Sequence, residues 1–87
     1  IYTEIYKDVS MRILPITEND IKEMLSETKI YKILCGYRNK TYDINSLVDV
    51  IMKVSLLSEK NKIKELDINP ILITEKRAIA VDARINL

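Results

Sequence analysis

Eighty-seven residues, 47% hydrophobic and 31% charged, are the length and balance of one small folded domain spanning 1–87, not of a disordered chain. A net charge of +1 gives no electrostatic argument for nucleic acid or an anionic membrane, and no apolar run approaches the roughly 18 residues that span a bilayer. With no His, one Gly and one Cys, these residues supply no imidazole base, phosphohistidine, glycine-rich phosphate loop, internal disulfide or Cys-rich zinc site, and a reducing, cytoplasmic compartment fits.

Residues 1–16 alternate, with Ile1, Ile5, Val9, Met11 and Ile13 on one face. That pattern predicts a strand bent near Lys7-Asp8 and closed by Pro15. Its other face carries Glu4, Asp8 and Arg12, ordinarily a set of surface charge pairs. Thr17-Glu18-Asn19-Asp20 reads as a capping box, and Ile21, Met24 and Leu25 form the apolar stripe of the helix it opens. Ile30 to Cys35 is a short apolar run of undecided type, in which Cys35 reads as a small buried residue. The polar stretch Gly36 to Tyr42, with Arg38 and Lys40, reads first as a solvated turn and second as a backbone nest for an anion. Asp43 caps a second helix, where Ile44, Leu47, Val48, Ile51 and Val54 repeat at helical spacing. Ser58 to Lys64 reads as a charged connection.

The last third is the most informative. Glu65-Leu66-Asp67-Ile68-Asn69-Pro70 and Ala80-Val81-Asp82-Ala83-Arg84 predict two strands of a hairpin. Alternation places Glu65, Asp67 and Asn69 on one face and Leu66, Ile68 and Leu72 on the other. On the second arm Ile79, Val81, Ala83 and Ile85 alternate with Ala80, Asp82, Arg84 and Asn86. A row of oxygen donors is what a hard cation such as Mg²⁺ takes. An even loop, Glu75-Lys76 or Thr74 to Arg77, sets Asn69 directly opposite Asp82. An odd loop of Glu75-Lys76-Arg77 would set Ala83 there instead. The loop lacks a Gly or Asn for positive φ, which favours four residues around a type I turn. Acids on one face of a hairpin are ordinarily its solvated side, so periodicity alone leaves function undecided. Pro70, having no N–H, suits an edge or a bulge. The order strand, helix, helix, strand, strand predicts an α+β unit in which two helices cover one face of an antiparallel sheet.

Three ordered blocks resemble one family. Glu-Leu-Asp-Ile-Asn-Pro with Ala-Val-Asp-Ala-Arg is similar to the end of the ATP-grasp domain in NDP-forming acyl-CoA synthetases. These include the ADP-forming acetyl-CoA synthetases and, more distantly, succinyl-CoA synthetase β subunits. Tyr2 to Pro15 resembles the family's Val-Glu-Val-x-Lys-Asp-Val-x-x-Arg-x-x-Pro stretch, and Leu34-Cys35-Gly36-Tyr37-Arg38-Asn39 with Asp43 its Leu-x-Gly-x-Arg-Gly…Asp segment. Asn39 departs from the family's Gly, a substitution that a positive-φ turn tolerates better than most.

The resemblance implies that Asn69 and Asp82 ligate the Mg²⁺ bridging the phosphates of ATP or ADP. It implies that Asp67 helps receive a phosphohistidine loop, with Glu65 beside it in the catalytic group. For Glu4, Asp8 and Arg12 it lends weight to lining a nucleotide or interdomain cleft. The chain is then expected to be the C-terminal portion of a larger ATP-grasp domain, inactive in isolation. Its partners would be the remainder of that domain and a CoA-binding, phosphohistidine-bearing α subunit or domain. The rival expectation is a non-catalytic interaction or regulatory module that keeps the fold.

Overall fold

A computed structural model describes residues 8–63, 65–68 and 71–86. Three helices precede a two-armed β ribbon built from four short strands in two two-stranded ladders: α1 (Glu18–Ser26), α2 (Tyr31–Leu34), α3 (Ile44–Asn61), β1 (Glu65–Ile68), β2 (Ile71–Ile73), β3 (Ala78–Ala80) and β4 (Ala83–Asn86). This is the expected α+β class.

The capping box forms as its spacing requires. Thr17 Oγ1 accepts from the Asp20 N–H at 3.1 Å, and the Asp20 carboxylate accepts from the Thr17 N–H at 2.8 Å. These bonds satisfy donors that the first turn of a helix otherwise leaves orphaned. Ile21 on α1 is 0% exposed and forms the core with Leu34 of α2 and Val48 of α3. Ser55 is the one buried polar residue among those described, and its hydroxyl donates to the Met52 carbonyl at 2.8 Å. The undecided run from Ile30 to Cys35 is the single-turn helix α2, and Cys35 is exposed. Helix α3 extends to Asn61 and ends on Lys62 in the left-handed conformation, φ 50°, so the charged connection starts later than its composition implied. Ser58 to Asn61 are compatible with an exposed final turn, and charge alone does not end a helix.

The strand expected over 1–16 does not form in its described part: residues 8–16 join no ladder. Their polar side chains turn to the end of α1 instead. Asp8 accepts from the N–H groups of Lys29 and Ile30, the second at 3.0 Å. Arg12 grips Glu27 with both terminal nitrogens, at 3.0 and 2.8 Å, and the Ser10 hydroxyl donates to the same carboxylate. Arg12 thus follows the ordinary reading, that of charge pairing, whereas Asp8 is bound by backbone N–H groups; Glu4 lies outside the described residues.

In the ribbon, β1 pairs antiparallel with β4, Asp67 opposite Arg84 and Ile68 opposite Ala83. Beyond them β2 pairs with β3, Ile71 opposite Ala80 and Ile73 opposite Ala78. Two residues on each arm separate these ladders, so the register carries across unchanged. The side-chain phase does not. Leu66, Ile68 and Ile71 all line one apolar cavity of about 180 Å³ beneath Val50, Ile51 and Val54 of α3. Strict alternation would place Ile68 and Ile71, three apart, on opposite sides. Leu72 is therefore outward and 55% exposed, not grouped with Leu66 and Ile68, and Ile79 opposite it is outward too. The alternation assumed an unbroken strand, whereas the ribbon consists of two short ladders.

Helix α3 makes the principal helix contact with the ribbon, through β3, and α1 packs on α3.

Candidate functional site

The outward face of β1 and β4 carries Glu65 and Asp67 opposite Asn86 and Arg84. Directly opposed residues of an antiparallel pair project to one side. With Leu66 and Ile85 these four line an open depression of about 420 Å³. Glu65 and Asp67 are exposed, as a role towards a ligand requires. Asp82 lies between β3 and β4 and is exposed as well. Its Oδ1 accepts from the Ala83 N–H at 2.9 Å, and Oδ2 has no partner among the described residues. Asn69 lies outside the described residues, as does its pairing with Asp82. Arg84, to which sequence reasoning gave no role, stands across from Asp67. Its signal was its period-two spacing with Asp82 and Asn86.

The ribbon's tip is a four-residue loop, Thr74 to Arg77, as the absence of Gly and Asn favoured. Thr74 N–H donates to the Arg77 carbonyl at 2.8 Å, and Thr74 Oγ1 accepts from the Lys76 and Arg77 N–H groups at 3.2 Å each. Such a hydroxyl stands in for the missing turn-forming residue.

A second turn shares a cavity of about 430 Å³ with this tip, lined by Lys40 and Tyr42 on one side and Thr74 to Lys76 on the other. Tyr37 and Lys40 exchange both backbone hydrogen bonds, at 2.9 and 3.0 Å, around Arg38 (φ 51°) and Asn39 (φ 63°). Two central residues at positive φ make this a type I′ turn. Asn39 in place of Gly is thus accommodated, and the departure gives no reason to infer a lost function. Arg38 lies 5.2 Å above the Tyr37 ring, within cation–π range. The Asp43 N–H donates to the Thr74 carbonyl at 2.8 Å, tying the start of α3 to the ribbon tip. The Asp43 side chain caps α3 through the Ser46 N–H and hydroxyl, at 3.0 and 2.6 Å, and those bonds lower its pKa.

Comparison with known proteins places this geometry. The sequence profile of the ATP-grasp domain matches residues 1–87. The chain is 53% identical over 89 residues to the β subunit of acetate–CoA ligase (ADP-forming) I of Pyrococcus furiosus, covering 100% of this chain and 38% of that subunit. It is 42% identical over 85 residues to acetate–CoA ligase (ADP-forming) II of Archaeoglobus fulgidus, covering 98% of this chain and 13% of that protein. Among solved structures, the dinucleotide-forming acetyl-coenzyme A synthetase 1 of Ca. Korarchaeum cryptofilum, in complex with coenzyme A and Mg-AMPPCP, superimposes with a TM-score of 0.91 at 36% identity. That match covers 100% of this chain and 42% of the solved one. A Pyrococcus horikoshii crystal structure gives 0.89 at 44% identity, covering 100% of this chain and 38% of that chain. The chain therefore spans less than half the length of these relatives. Across its whole length, then, this chain belongs to the ATP-grasp domain family.

Proposed function

We propose that these residues form part of the Mg²⁺–nucleotide site of an ADP-forming acyl-CoA synthetase, of the acetyl-CoA synthetase kind. Such an enzyme interconverts acyl-CoA, ADP and phosphate with the free acid, CoA and ATP through a phosphohistidine on another segment. The observation that carries this reading is the identity of 53% to an ADP-forming acetate–CoA ligase β subunit along the entire chain.

In this reading Asn69 and Asp82 hold the metal, Asp67 helps place the incoming phosphohistidine, and Glu65 flanks it. Two features support the metal pair. The ladders on either side of it share one register, and Asp82 retains a carboxylate oxygen with no other partner among the described residues. Among the described residues no group of three or more acids or cysteines could cage an ion. One or two protein oxygens suit Mg²⁺, which keeps waters and takes substrate phosphates for its remaining positions. When bound, Mg²⁺ polarises phosphoryl oxygens and offsets their charge. The residues of this chain position and orient; the nucleophile and the CoA site belong to partners, namely the rest of the ATP-grasp domain and an α subunit or domain. The cytoplasm is the compartment we assign.

Titration of Mg-ADP into the intact protein tests the site. Asn69→Ala and Asp82→Ala are each expected to weaken metal-dependent binding by about tenfold or more, roughly 1.4 kcal/mol. Undiminished binding in both variants would remove their assigned role.

A further inference from the structure

We propose that Arg84 is a phosphoryl-binding residue of the ribbon's outward face, an inference that rests on the nucleotide reading above. Its place is fixed by register: Arg84 stands directly opposite Asp67 and beside the Glu65–Asn86 pair. All four line the depression of about 420 Å³. The face therefore carries two carboxylates, one amide and a single cation among the described residues.

A phosphate arriving there meets Glu65 and Asp67, and like charges at short range repel it unless a cation answers them. Arg84 is the cation available, and the described residues leave it uncommitted. Among the described residues it makes no ion pair within 4 Å and no side-chain hydrogen bond, although a carboxylate faces it across the ladder. Arg12, by contrast, is fully engaged with Glu27. An open guanidinium presents a planar fork that matches two phosphoryl oxygens, which a lysine ammonium cannot reproduce.

Two sources bring a phosphoryl group to this face: the terminal phosphate of the nucleotide and the phosphorylated imidazole of another segment. In transfer to ADP the P–N bond breaks and its electron pair returns to the imidazole, which is protonated on its other nitrogen and leaves neutral. A terminal-phosphate oxygen of ADP donates the pair for the new P–O bond. Arg84 forms no covalent bond; it holds peripheral phosphoryl oxygens while charge redistributes.

The test compares wild type, Arg84→Ala and Arg84→Lys in the intact protein. Two quantities are read: equilibrium binding of Mg-ADP and Mg-ATP, and the single-turnover rate from phosphohistidine to saturating ADP. Arg84→Ala is expected to lower at least one of them by about a hundredfold, as loss of a charge-stabilising donor does. Arg84→Lys should recover part of that, and added guanidinium should restore part of the alanine loss. A loss in binding assigns the nucleotide phosphate; a loss confined to transfer assigns the phosphohistidine. Unchanged binding and transfer in Arg84→Ala would overturn the inference. So would a loss shared in full by lysine, untouched by guanidinium and accompanied by a lower melting temperature. A wild type that binds no Mg-nucleotide overturns the underlying reading, and this inference with it.

Discussion

Glu27 is held by two side chains of the segment that precedes α1. Arg12 meets both of its oxygens, at 3.0 and 2.8 Å, and the Ser10 hydroxyl donates to one of them. Those bonds, Arg12 first, hold its pKa down to about 2 from the ordinary 4.5. Because the folded value lies below the unfolded one, the unfolded chain binds more protons between them, and stability rises with pH across that interval. The contribution is complete above about pH 4.5 and vanishes as pH falls through about 2. Glu27→Gln is expected to flatten this limb, which unfolding midpoints measured at successive pH values will show. Both partners are exposed, so the effect is modest. Sequence alone placed Asp8 and Arg12 on one face but could not supply their partners, which lie fifteen to twenty-two residues further along. Asn39 was more legible, since its tolerance of positive φ is intrinsic to the residue. The same conformation at Arg38 had no such signal.

At the scale of elements, the helix starts were written locally and the ribbon was not. Thr17 with Asp20 and Asp43 with Ser46 cap α1 and α3 through bonds spanning three residues, so the chain declares them. Asp43→Ala is expected to cost about 1 kcal/mol by denaturant unfolding, with Asp43→Asn close to wild type. The Asp43 N–H bond to Thr74 would survive both changes because it is made by backbone. The even loop was deducible from what it lacks, glycine and asparagine, and it set the register correctly. The phase change between Ile68 and Ile71 was not deducible from alternation, which presumes one continuous ladder. What decides it is the demand of α3 for Leu66, Ile68 and Ile71 together, a tertiary requirement.

For the molecule as a whole, the order of elements was enough to give the class. Which elements touch was not evident from it, because the contacts of α1 with α3 and of α3 with β3 depend on which apolar stripes meet. Ile21, Leu34 and Val48 are the buried apolar residues among those described, so each carries much of the packing. Ile21→Ala is expected to destabilise by about 2–5 kcal/mol, the range for emptying a filled core position, read from chemical denaturation of the intact protein. The ribbon's arms also constrain how proteins built this way can diverge. They remain in step across the break between the ladders while the faces exchange sides. An insertion of one residue in a single arm would rotate every subsequent side chain away from α3, whereas matched insertions in both arms would leave the far ladder intact. Length variation among such ribbons is thus admissible only when it is mirrored.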